Sequence, residues 1–199
     1  AFLLVVFTCF NFVYISMPVI GPSMQQLLNP NTTGSDDYAF VNRYGPVTRN
    51  NIVVANVPWF TDGSIIKRLV GMPGDLINVE DDGENYVLYV NDKEFYKKEK
   101  TPAITDGTYK NLTKFFESFP QNTYTDADGK NFIKVNDGEY FLLGDNWANS
   151  EDCSKRGCIK KEELFGRVDF VIHKNGNYVW QYLTALVRIT FTTEQITFC

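Results

Sequence analysis

The chain has 199 residues, a formal net charge of -5 and one histidine. The acidic balance excludes an ordinary nucleic-acid surface, which needs Lys and Arg in clustered excess, and a single histidine cannot supply a His-based triad or a His-rich metal centre. Abundant Phe, Tyr, Val and Ile among many Gly, Asn and Asp residues favours strands and turns, so the expected fold is mostly β, in one folded unit.

Residues 1–20 carry no charge, and the first charged residue is Asp36. Such a run suits an N-terminal transmembrane helix, placed at 1–18, since a bilayer span needs roughly 20 apolar residues. No basic flank sets its orientation. A cleaved signal peptide fits less well, because no small-x-small pattern precedes Pro18 and Gly21, and a buried strand pair is the remaining reading. Gly21-Pro22-Ser23-Met24 follows directly. A constrained Gly-Pro turn can present a serine hydroxyl as a nucleophile, although for this residue alone a surface turn serine is the default. Ser16 lies inside the apolar run, where a substrate has no room.

Beyond Gly21 short strands are expected at 51–57, 64–70, 86–90, 140–143 and 167–172. In Ile65-Ile66-Lys67-Arg68 a lysine follows two bulky apolar residues, so a strand can turn Lys67 toward apolar surroundings. Lowering a lysine from its usual value near 10.4 by about 2 to 3 units leaves enough neutral amine to act as a base. An exposed edge-strand lysine is the plainer alternative. Residues 81–136 are polar and read as an insertion, with a hairpin turning at Asn91-Asp92-Lys93 and a short helix at 112–118. After the apolar strand 140–143 comes Gly144-Asp145-Asn146-Trp147-Ala148-Asn149-Ser150-Glu151-Asp152, small and polar residues suited to a positioning loop or to Asx turns. Cys153 and Cys158 lack the second pair that a zinc site needs and are expected as free thiols, with a disulfide between them as the alternative if this face meets an oxidising compartment. His173 is expected at the end of a strand. The expected organisation is therefore the anchor, a β core from 19–80 and 137–180, the insertion at 81–136, and a tail at 181–199.

Taken together, the Ser-Met block, the Ile-Lys-Arg block with Gly-x-Pro-Gly-Asp, and the Gly-Asp-Asn-x-x-Asn-Ser-x-Asp block resemble the bacterial type I signal peptidases of the Ser-Lys kind. The likeness runs from Val19 to Val168 and includes Tyr44 to Val54, with Arg49, and Gly138 to Phe141. It implies Ser23 as nucleophile and Lys67 as general base. Ser150 would hydrogen-bond and orient the lysine, and Asp145, Arg68 and Asp152 would form the supporting polar shell. It further implies a substrate bound as an added strand, with Val19, Met24, Ile65 and Ile66 lining pockets for small side chains, and the Ser23 N–H as an oxyanion donor. No cofactor or metal is implied. The implied partners are the signal peptides of secretory preproteins and the lipid bilayer, and the implied location is the cell membrane, single-pass, with the catalytic domain on the extracytoplasmic face.

The chain departs from the family pattern at several places. Gly21 stands where some members have serine, Gln26 where proline is usual, and Asn50-Asn51 where Gly-Asp is usual. Trp147 and Ser154 stand where arginines are common. Two other classes compete: a catalytically silent, membrane-tethered β-domain that binds extended peptides, and a soluble self-cleaving repressor. The latter fits poorly with an acidic chain that has no helix-turn-helix segment before Ser23.

Overall fold

The computed structural model of the chain describes residues 11–25, 27–28, 37–60 and 63–173. Twelve strands form two antiparallel sheets among these residues. The larger holds β1 (Tyr14–Val19), β2 (Asp37–Asn42), β3 (Ile52–Ala55), β4 (Ile65–Gly71), β10 (Glu139–Leu143), β11 (Ile159–Lys160) and β12 (Leu164–His173). Its order is β1-β2-β12-β3-β4-β10-β11. The smaller holds β5 (Leu76–Asp81), β6 (Asn85–Val90), β7 (Lys93–Glu99), β8 (Thr123–Thr125) and β9 (Asn131–Lys134), in the order β7-β6-β5-β9-β8. Among the helical segments that accompany them are α1 (Lys110–Ser118) and the short α2 (Cys153–Arg156).

The local chemistry explains several of these elements. Asn91 and Asp92 both have positive φ, 50° and 62°, and a two-residue turn of that hand matches the twist of the β6–β7 hairpin. Asn and Asp tolerate that conformation better than other side-chain-bearing residues. In α1, Leu112 and Phe115 share one buried stripe while the intervening positions face solvent. His173 closes β12, as its place after Phe170-Val171-Ile172 suggests.

The expected anchor boundary needs correction. Residues 11–13 are helical, but Tyr14–Val19 is a strand that pairs with β2 from Tyr14↔Asn42 to Val19↔Asp37. An uncharged run reports burial or lipid, not helix, and periodicity does not separate the two in so short a segment. Pro18, which has no N–H to give to a ladder, fits because β1 is the outer strand of its sheet. The rest of the expected span, residues 1–10, lies outside the described residues, as do 174–180 and the tail at 181–199. Among the described residues no helix is long and apolar enough to cross a membrane.

The second sheet begins at Leu76, earlier than the expected start of the insertion at 81, and it ends at Lys134. Among the described residues it has no core of its own. Ile77, Leu88 and Ile133 of the small sheet, Leu112 and Phe115 of α1, and Val53, Leu69, Phe141 and Leu143 of the large sheet belong to one buried cluster. The inserted segment therefore props the large sheet from one side.

Asp75 holds the passage from one sheet to the other. Its carboxylate, 5 % exposed, accepts from Arg49 at 2.9 Å, from the Met72 N–H at 2.5 Å and from Asn91 at 2.8 Å. The same Arg49 donates to the Val70 carbonyl at 3.2 Å. Removing the carboxylate strands three donors in a nearly dry site. Asp75→Ala should therefore cost about 2–3 kcal/mol of stability in urea unfolding, less than a fully buried pair because Arg49 is partly exposed.

Candidate active site

β4 places alternate side chains on opposite faces of the large sheet. Ile65, Lys67 and Leu69 share one face, next to Val53 and Ala55 of β3, while Ile66 and Arg68 take the other. A lysine in that row is surrounded by apolar neighbours, and Lys67 is only 4 % exposed. Its Nζ donates to Ser23 Oγ at 2.6 Å and to the Ile66 carbonyl at 3.0 Å. Burial lowers the Lys67 pKa, and the negative charge of Asp152, with smaller contributions from Cys153, Glu151 and Asp145, only partly offsets it. A neutral amine has a lone pair, which an ammonium lacks, so the lowered pKa allows Lys67 to accept a hydroxyl proton.

The turn that carries Ser23 is built from its own sequence. Gly21 has φ of +92°, a conformation that glycine adopts without strain. The Gln25 N–H donates to the Pro22 carbonyl at 3.0 Å and closes the turn. Met24 and Leu28, 1 % and 2 % exposed, plug it into a second apolar cluster with Val19 and Ala39. Ile66 packs against that cluster. The structure therefore brings together Val19, Met24 and Ile66, three of the four expected pocket residues, and puts Ile65 in the main core behind the sheet.

The loop after β10 wraps this turn. Asn146 donates its backbone N–H to the Ser23 carbonyl at 3.0 Å and its side-chain Nδ2 to the Pro22 carbonyl at 2.9 Å. A Cβ at Gly144 would overlap both the Ser150 hydroxyl and the Ser23 carbonyl oxygen, so only glycine lets these two segments meet. Asp152 is fully buried and accepts four hydrogen bonds: from the Gly144 N–H at 2.9 Å, the Ser150 hydroxyl, the Ser154 N–H at 3.0 Å and the Ser154 hydroxyl at 2.7 Å. It also caps α2. Among the described residues the Ser150 hydroxyl thus bonds to Asp152 rather than to Lys67, which places Ser150 beside the site with its proton committed elsewhere.

Arg68, on the other face, is paired in a fork with Asp145 at 2.9 and 2.6 Å. Burial works against the guanidinium charge, but the Asp145 carboxylate outweighs it and holds the Arg68 pKa above its ordinary value. Tyr96 reaches across from β7 to donate to Asp145 at 2.9 Å. Burial, followed by the Asp145 charge, pushes the Tyr96 phenol up, so it stays a donor. Arg68 also donates to the Asn50 carbonyl at 2.9 Å.

Several departures from the family pattern acquire physical reasons. Asn50 has φ of 73°, so it supplies the left-handed conformation that glycine would give. The Asn51 side-chain Oδ1 accepts from the Thr48 N–H at 2.8 Å, as an aspartate there could. Ser154 gives Asp152 two neutral donors in place of a guanidinium. Trp147 is a core residue, 1 % exposed, whose carbonyl accepts from the Thr108 N–H of the inserted segment at 2.9 Å. Arg156 pairs with Glu151 and lies over the Trp59 ring. Cys153 and Cys158 are free thiols, and burial pushes both pKa values up, which leaves them unreactive.

A lysine whose folded pKa lies below its unfolded value binds fewer protons when folded, so its contribution to stability grows as pH rises between those two values. At neutral pH the buried amine is therefore a cost. Lys67→Met, which fills the same space, should be more stable than the parent by about 1 kcal/mol or more near pH 7. That advantage should shrink as pH approaches the ordinary lysine range. Urea unfolding of both proteins across pH checks this.

The sequence profile of the family described as "Signal peptidase, peptidase S26" matches residues 1–173. A signal peptidase I of Bacillus caldolyticus is 33% identical over 173 residues, covering 83% of each chain. Signal peptidase I of Streptococcus pneumoniae is 32% identical over 160 residues, 70% of this chain and 74% of that one. Signal peptidase I S of Bacillus subtilis is 30% identical over 172 residues, 82% and 79% of the two chains. With a match this long, and with these relatives covering most of both chains, the protein belongs to the signal peptidase family, peptidase S26, as a serine peptidase of the signal peptidase I type.

Proposed function

We propose that Ser23 and Lys67 are the catalytic dyad with which this chain removes signal peptides from exported preproteins. Membership of the family implies signal peptide removal, and the observation that carries the assignment of residues is the 2.6 Å contact between the Ser23 hydroxyl and a buried lysine amine. In its neutral form Lys67 takes the hydroxyl proton as Ser23 Oγ attacks the scissile carbonyl. The tetrahedral oxyanion is met by the Ser23 N–H, and the lysine returns the proton to the leaving amine. Water, deprotonated by the same amine, then releases the acyl group and regenerates the serine.

The surroundings fit that cycle. Val19 and Met24 lie buried in one apolar cluster with Ile66 packed against it, which supports the reading that small substrate side chains lie against this cluster, where larger ones would overlap. Asp152, Ser150 and Gly144 fix the loop against the Ser23 turn, while Arg68 and Asp145 brace β4 from the opposite face. Only the uncharged residues ahead of β1 are left for the anchor, and they are read as part of a single membrane span that sets the catalytic domain at the extracytoplasmic surface.

The experiment is cleavage of a preprotein carrying a small-x-small site, with the chain in lipid or detergent. Ser23→Ala and Lys67→Met should each abolish product, by at least about 10³-fold, while the domain still unfolds cooperatively. The rate should rise with pH as Lys67 loses its proton, with a midpoint below the ordinary lysine value near 10.4. Undiminished cleavage by either variant would overturn the dyad. Binding of the preprotein without cleavage by the parent would instead favour a silent peptide-binding domain.

A further inference from the structure

The peptide unit between Pro22 and Ser23 is gripped at its carbonyl end. That oxygen accepts from the Gln25 N–H at 3.0 Å and from Asn146 Nδ2 at 2.9 Å. At the other end, the Ser23 N–H has no acceptor among the described residues. A trans peptide is planar, with its C=O and N–H pointing in opposite directions, and no bond here is cis. Fixing the Pro22 carbonyl therefore fixes the line along which the Ser23 N–H points. Hydrogen bonds to the carbonyl also polarise the amide and strengthen the N–H as a donor.

Asn146 is well built for this task. Its own N–H donates to the Ser23 carbonyl at 3.0 Å, which ties its backbone to the residue it acts on. Its Nδ2 has a second acceptor, Gln25 Oε1 at 3.2 Å. Because the Pro22 carbonyl only accepts, the amide must present nitrogen there. The following residue, Trp147, is locked into the core and held by Thr108, so Asn146 springs from rigid backbone.

From this we propose that Asn146 is a positioning residue that aims the Ser23 N–H at the oxyanion of the acyl-transfer step. The proposal rests on the reading of Ser23 as nucleophile. In the chain's own sequence Gly21 brings no side-chain donor to this region, so the aim of the one backbone donor carries correspondingly more weight.

The test uses the full chain in detergent micelles with a small-x-small peptide substrate. A peptide aldehyde ending at the scissile carbonyl is compared with the matching peptide alcohol. The aldehyde forms a hemiacetal: Ser23 Oγ bonds to the carbonyl carbon, and the hydroxyl proton ends on the former carbonyl oxygen, so it senses the oxyanion site. The alcohol has no carbonyl and senses only the cleft. Asn146→Ala should lower kcat about 10-fold with KM within about twofold. Asn146→Asp, which keeps the shape but cannot donate from an ionised carboxylate, should lower it further. In both, aldehyde affinity should fall by the same factor as kcat/KM while alcohol affinity stays at the parent value. The proposal is overturned if kcat stays within about twofold of the parent in both variants, if aldehyde and alcohol weaken equally, or if neither variant unfolds cooperatively, which would make Asn146 a structural staple. Ser23→Ala and Lys67→Met run in parallel separate the two readings: their retained activity would remove the dyad itself, whereas their inactivity beside a fully active Asn146→Ala would remove only the positioning role.

Discussion

The contact between Ser23 Oγ and Lys67 Nζ, 2.6 Å long and almost dry, is the constraint to which the rest of the architecture answers. An ammonium group loses a great deal of hydration in such a place, and the protein lowers that cost by favouring the neutral amine. The large sheet supplies the dryness. Its β4 inserts the lysine into a row otherwise held by Ile65 and Leu69, beside Val53 of β3. No single neighbour creates the basic amine; it follows from a polar side chain standing where the pleat expects an apolar one.

Everything around the pair limits how far Ser23 can stray from it. The turn at Gly21 to Gln25 is short, plugged from below by Met24 and stapled from the side by Asn146. The loop that supplies the staple is itself anchored twice, by Asp152 at one end and by Trp147 in the main core. The inserted sheet and α1 form the back of that core, and Tyr96 and Thr108 carry their influence forward to Asp145 and Trp147. A segment that looks dispensable because it holds no catalytic group thus fixes a loop that touches the nucleophile.

Much of this could be read from sequence, and the parts that could not have identifiable causes. The strands and the β6–β7 turn follow from local pattern, because alternation and the tolerance of Asn91 and Asp92 for positive φ are local properties. Ser23, Lys67 and the loop to Asp152 stood out as blocks whose composition differs from ordinary strand and turn. The strand at Tyr14–Val19 was hidden because an uncharged run looks the same whether it enters lipid or joins a sheet. Tyr96 gave no signal because its partner Asp145 lies in the loop after β10, far along the chain. The placement of Ile65 in the core, apart from Ile66, follows from the period of two, which a list of pocket residues taken from a motif does not respect. Asn50 and Ser154, which break the family pattern as letters, keep it as geometry and as hydrogen bonds.

The direct measurement of the central claim is the titration of the Lys67 side chain itself, followed by NMR of the labelled amine in the folded chain. The midpoint is expected clearly below the ordinary lysine value of about 10.4, set by burial and still low in Ser23→Ala, since desolvation is its principal cause. A Lys67 that titrates with the exposed lysines would contradict it, because an amine held as an ammonium at working pH has no lone pair with which to take the Ser23 proton.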